Sequence, residues 1–232
     1  MKSVVAIVSL SMVMFCADAA AASTAATNAT KATPSARAQA MLKRMNFTEK
    51  IDLLHGWQTD YVGHTPANTR LGIPPLVLND GPQGFRVGNK PGVQGTSTQW
   101  PSGLTAAATW DRDALKKWGT SMGLEFRQKG ANVQLGPGVC VARIPNCGRN
   151  FEYLSGEDPF LGNQLIQPAV QGIQSQGVIA NAKHYIDNSQ ETDRTTVSEV
   201  IDERTRFELY EPPFAGAVDG GVLSPSRFRR TL

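Results

Sequence analysis

Cysteine is scarce in this sequence, with three residues in a chain of 232. One of them, Cys16, lies in an N-terminal apolar run, which leaves Cys140 and Cys147 for the folded body. Two thiols without neighbouring histidines make a poor zinc set, so no metal site is expected. A disulfide between them would close a short loop, and the composition leaves it open. Charge of one sign is missing as well. The net charge is +3, and Arg227, Arg229 and Arg230, close to the C-terminal end, account for it. The remainder is balanced, which leaves no basic face for nucleic acid or an anionic membrane. The loops carry neither a P-loop nor a dinucleotide glycine pattern.

The ends of the chain read as processing and linker sequence. Lys2 precedes an apolar run from Val4 to Cys16, and Ala17-Asp18-Ala19 follows as an A-x-A cleavage signal. The run is too short to span a bilayer, so residues 1–19 are expected to be a secretory signal peptide and the protein to be secreted. Residues 20–34 form a low-complexity leader of small polar residues. In an exported chain Asn28 and Asn46, each followed two residues later by threonine, become glycosylation acceptors. Residues 35–224 are the body, and 225–232 an arginine-rich tail of aberrant character.

Within the body, SARAQAMLKRM and FTEKIDLLHG carry helical periodicity, with Thr48 expected as the N-cap of the second helix and Gly56 as its stop. His55, in that helix's last turn, suits the helix dipole. PLVLND, ANVQLGPG and GVIANAKHY read as short buried strands, and GVLS begins another. Between them, residues 109–130 place Leu115, Trp118, Met122 and Phe126 on one helical stripe behind Asp111 and Asp113. PFLGNQLIQPAVQGIQSQG is a second helix, containing Pro168, and residues 198–221 are helical with a break near Pro212 and Pro213. Apolar strands alternating with helices indicate an α/β fold of parallel βα units, in a barrel or an open sheet.

The polar residues gather at the carboxyl ends of those strands, which is where both architectures build their sites. Asp80 closes one strand in NDGPQGF, either capping its own turn or accepting from a ligand. Arg149 follows Gly148 in CGRNFEYLSGEDPF, where Glu152, Glu157 and Asp158 supply carboxylates, and serves an internal ion-pair loop or a ligand; Glu157 and Asp158 open the next helix. Lys183 and His184 end a third strand. A lone lysine there is a Schiff-base candidate, and a lone histidine a core residue. Together the four make a ring of donors with one acceptor, which suits a neutral ligand rich in hydroxyls, a sugar, with phosphate as the competitor.

At these residues the sequence resembles the N-terminal domain of glycoside hydrolase family 3, and most closely its secreted β-glucosidases. The matching segments are LGIPPLVLNDGPQGFR, the run from TQWPSGLTAAATWDRD to QLGPGV, GRNFEYLSGEDPFLG, GVIANAKHYIDNSQETDR and IDERTRFELYEPPFAGAV. The resemblance implies a (β/α)8 TIM-type barrel, present here in part, and a second α/β domain after it. It implies retaining hydrolysis of terminal β-D-glucosyl residues, with a β-glucoside or oligosaccharide as substrate and no cofactor. Asp80, Arg149, Lys183 and His184 match the family positions that hold the sugar hydroxyls. The family's nucleophilic Asp and acid/base Glu have no counterpart, and after GVLS the chain departs from the family's V-M-C-S-Y-N-like continuation. The expectation is therefore a truncated, inactive fragment, or alternatively a non-catalytic sugar-binding or decoy chain.

Overall fold

The computed structural model describes residues 34–57, 60–88 and 95–227, and for Pro34, Ser35 and residues 224–227 the backbone alone. The expected signal peptide, most of the leader with Asn28, and residues 228–232 lie outside the described residues. Two compact units divide at Lys50 and Ile51.

The first unit carries helix α1 (Pro34–Arg44) and the start of α2 (Phe47–Asp52). The N-cap of α2 is Asn46 and not Thr48. Asn46 Oδ1 accepts from Glu49 N–H at 2.9 Å, while Glu49 Oε2 accepts from Asn46 N–H at 2.8 Å, a reciprocal capping box. Asn46 itself is exposed.

The second unit is built on a five-stranded sheet in the order β1-β2-β3-β4-β5. Its strands are β1 (Gly63–His64), β2 (Val77–Asp80), β3 (Val133–Leu135), β4 (Ile179–Tyr185) and β5 (Ser224–Arg227). β1 pairs antiparallel with β2, and every later pairing is parallel. Each parallel strand lies beside its predecessor in sequence, without the reversal of order that marks a doubly wound sheet. That is the winding of a (β/α) barrel, of which these strands form part. β5 extends the sheet to Arg227, inside the segment read as tail.

Helices α3 (Gly103–Ala107), α4 (Arg112–Gln128), α5 (Pro159–Gln174), α6 (Glu203–Thr205) and α7 (Pro212–Asp219) make the connections. Asp111 caps α4 by accepting from Asp113 and Ala114 N–H, and Asp158 caps α5 by accepting from Phe160 N–H. The expected stripe Leu115, Trp118, Met122 and Phe126 is buried, and it shares one core with Leu165, Ile166, Ala169, Val170 and Ile173 of α5. A side chain that size contributes roughly 1.5–3 kcal/mol on burial. α4 and α5 approach so closely that a Cβ on Gly119 would collide with the Ala169 carbonyl, and one on Gly172 with the Lys116 carbonyl. Pro168 is accommodated inside α5, and the break near Pro212 is a π-helical turn at Arg206–Tyr210. Among the described residues, no helix is long and apolar enough to cross a membrane.

Candidate functional site

Strand alternation decides which side chains can meet. In the register Asn79↔Gln134↔Ala180, one row faces the helices, since Gln134 Nε2 lies 3.8 Å from Met122 Sδ of α4. Asp80 and Lys183 stand one residue and three residues further along their strands, on the opposite, inner face. There they meet. Lys183 Nζ donates to Asp80 Oδ1 at 2.9 Å, with the lysine side chain 5% exposed and the aspartate 27%. Asp80 Oδ1 also accepts from Gly81 N–H at 3.0 Å, so the residue caps its own turn and holds the lysine at once. Arg86 Nη1 lies 3.4 Å from Asp80 Oδ2 and also lines a cavity of about 230 Å³ with Asp60, Tyr61, Phe85 and Lys129. Burial raises the Asp80 carboxyl, but the charge and hydrogen bond of Lys183, with Arg86 and Gly81 N–H, outweigh it and leave the pKa below its usual value.

His184 follows Lys183 directly, and in a regular strand its ring would face the helices. The pairing of β4 with β5 shifts register between Ala182 and Tyr185, so the alternation is broken at this place. Cys140, beyond β3, grips the His184 backbone on both sides. Its sulfur accepts from His184 N–H at 3.2 Å and donates to the His184 carbonyl at 3.4 Å. Both Cys140 and Cys147 are buried free thiols, and burial pushes Cys140 up to about 12.

Arg149 reaches the same place from the loop after β3, where Gly148 adopts φ +84°, a left-handed conformation that favours glycine. Its Nη2 lies 3.3 Å from His184 Nε2 and its Nη1 3.3 Å from Glu191 Oε1. Glu152 Oε1 sits 2.5 Å from Nη2, a close and largely buried charge contact. Burial opposes the Arg149 charge, but the neighbouring Tyr153, Glu152 and Glu191 outweigh it and raise its pKa. Glu191 is held in turn by Asn188 and Arg194, at 3.2 and 2.6 Å.

The four residues singled out in the sequence thus fall into two contacting pairs, Asp80 with Lys183 and Arg149 with His184, joined by the peptide between Lys183 and His184. Sequence reasoning missed Tyr153, Asn188 and Glu191, which support the second pair. The letters carried no periodic signal for them: Asn188 and Glu191 lie in the irregular loop after β4, where their side chains meet at 3.2 Å.

The glycosyl hydrolase family 3 N-terminal domain matches residues 16–224. Beta-glucosidase B of Emericella nidulans is 44% identical over 188 residues, covering 79% of this chain and 21% of that protein. Among solved structures, DesR, a β-glucosidase from Streptomyces venezuelae in complex with D-glucose, superposes with a TM-score of 0.77 at 34% identity, over 82% of this chain and 24% of its own. β-Glucosidase 3B from Thermotoga neapolitana in complex with α-D-glucose gives 0.73 at 34% identity, over 82% of this chain and 30% of its own. The chain therefore spans less than a third of the length of each of these relatives.

Proposed function

The chain belongs to the glycosyl hydrolase family 3 N-terminal domain family, and on that premise we propose that it holds the glucosyl residue of a β-glucoside in a β-glucosidase-type site. Asp80, Arg149, Lys183 and His184 are the residues that bind its hydroxyls. The observation that carries this reading is the meeting of Asp80 with Lys183 and of Arg149 with His184 at strand ends far apart in sequence. The glucose complexes of the two solved relatives support the choice of sugar.

Retaining hydrolysis needs two carboxyl groups about 5–5.5 Å apart across the sugar, one of them a proton donor. Within the cluster, Asp80 is engaged by Lys183, Arg86 and Gly81, and Glu191 by Arg149, Arg194 and Asn188. Both are held ionised, below the usual carboxylate range despite burial, which suits hydroxyl binding and not proton donation. We assign these residues to binding and not to bond cleavage. The N-terminal apolar run supports export, and Asn46, exposed at its helix cap, is the proposed glycan acceptor among the described residues.

Calorimetric titration of the 232-residue chain with glucose tests the assignment. Binding is expected, and Arg149→Ala or Lys183→Ala should weaken it more than tenfold, since a hydrogen bond to a charged group contributes roughly 1.5–3 kcal/mol. A folded chain that takes up no glucose, or that binds it unchanged in both variants, refutes the proposal. Turnover of an aryl β-glucoside by the chain alone, abolished in Asp80→Asn, would overturn the assignment of Asp80 to binding.

A further inference from the structure

Both ring nitrogens of His184 face protein atoms, and the chemistry of those atoms decides which nitrogen holds the proton. Nε2 lies 3.3 Å from Arg149 Nη2. A guanidinium nitrogen donates and never accepts, so the only hydrogen bond possible there runs from Arg149 to Nε2. Nε2 is then the bare nitrogen and Nδ1 carries the proton. Nδ1 lies 3.1 Å from Tyr153 Oη, which can accept it. Asn188 Nδ2 stands 3.4 Å from Nδ1, but its shorter contacts are Tyr153 Oη at 2.9 Å and Glu191 Oε1 at 3.2 Å, and these take its two hydrogens. Tyr153 Oη thus receives one N–H from His184 and one from Asn188, and its own O–H finds no acceptor among the described residues; the reverse assignment, with that O–H donating to Nδ1, would turn an Nε2–H against the Arg149 guanidinium. The tyrosine is 1% exposed, and its ring stands edge-on to the imidazole, with centroids 5.9 Å apart at 88°.

We infer that Tyr153 is a positioning residue: its buried hydroxyl holds His184 as the Nδ1–H tautomer, so that the single lone pair of Nε2 faces the site, accepting from Arg149 in the free chain and from a sugar hydroxyl in its place when the ligand binds. The clause about the sugar rests on the binding reading above; the tautomer does not. The cluster then offers two donors, Lys183 and Arg149, and two acceptors, Asp80 and His184. That revises the ring of donors with one acceptor expected from the sequence. It also separates the competing ligands. A phosphate presents acceptors and would face a carboxylate and a bare ring nitrogen, whereas each sugar hydroxyl both donates and accepts.

The sequence contains three histidines, so their ring nitrogens can be assigned by ¹⁵N spectroscopy of the labelled chain with His55→Gln and His64→Gln variants. At neutral pH His184 is expected to show a protonated Nδ1 and a bare Nε2, with widely separated shifts. Tyr153→Phe removes one oxygen and keeps the ring. It should bring the two nitrogens toward a tautomeric average and lower glucose affinity about tenfold, the loss of one buried hydrogen bond. A protonated Nε2 in the wild type overturns the inference, as do unchanged nitrogen shifts in Tyr153→Phe. Should that variant fail to fold, exchange of the Nδ1–H in the wild type decides: slow exchange is expected for a proton held by the buried Tyr153 oxygen, and fast exchange counts equally against the inference. A wild-type chain with the expected tautomer but no glucose binding refutes the sugar reading and leaves the tautomer standing.

Discussion

Replacing Lys183 with methionine keeps the aliphatic stem and removes the ammonium that holds Asp80 at 2.9 Å. At an effective dielectric of about 20 the gross attraction at that distance is about 6 kcal/mol, most of it offset by desolvation of the two charges. Removing one partner of a fully buried pair costs about 3–5 kcal/mol. Asp80 is 27% exposed and keeps Gly81 N–H and Arg86, so the expected cost is about 2 kcal/mol, or about 4–8 °C in Tm. Asp80→Asn strands the lysine instead, and the double variant leaves neither charge alone. Thermal melts of the four chains by circular dichroism should therefore give a coupling energy of about 1–2 kcal/mol. The pH dependence carries a sign. The Asp80 pKa is depressed in the folded chain, so its contribution is present above the unfolded value near 4 and is lost as pH falls through the lower folded value. The stability gap between wild type and Asp80→Asn should stay level from about pH 5 to 8 and narrow below about 4. Additive single effects, or a gap that closes near neutrality, would refute the reasoning.

Asn46→Ala should destabilise the helix it caps by about 0.5–2 kcal/mol while Thr48→Ala leaves it within about 0.5, as judged by helical circular dichroism in matched melts; equal losses would return the cap to Thr48. Cys140, buried and pushed up to about 12, should resist a thiol-specific disulfide reagent near pH 8 in the native chain and react once the chain is unfolded. Rapid native labelling of Cys140, located by peptide mapping, would contradict its burial.

Strands β2 to β4 and the two long helices were legible because each carries its own pattern, whereas β5 runs through residues read as tail. Val77–Asp80 and Ile179–Tyr185 are apolar runs ending in polar residues, and the α4 stripe repeats at helical spacing. β1 had no such signal: Gly63 and His64 become a strand only through their partners Leu78 and Val77. The five-residue α3, capped by Ser102, is too short to show periodicity. The Asn46 cap was present in the letters, as an Asn three residues before Glu49, but Thr48 stood closer to the apolar positions. In the site, strand ends pointed to Asp80, Lys183 and His184, and a glycine turn to Arg149. Tyr153 carried no signal of its own, because its partner His184 is 31 residues away and only the fold brings them together.

A single peptide bond separates the lysine that grips Asp80 from the histidine that receives Arg149. The two grips therefore share one lever. The sulfur of Cys140 holds the His184 backbone from both sides, at its N–H and at its carbonyl, and so braces the segment that carries both side chains. The stability losses of Lys183→Met and Arg149→Ala should accordingly fail to add in thermal melts of the double variant, because the end of β4 carries both contacts as one piece.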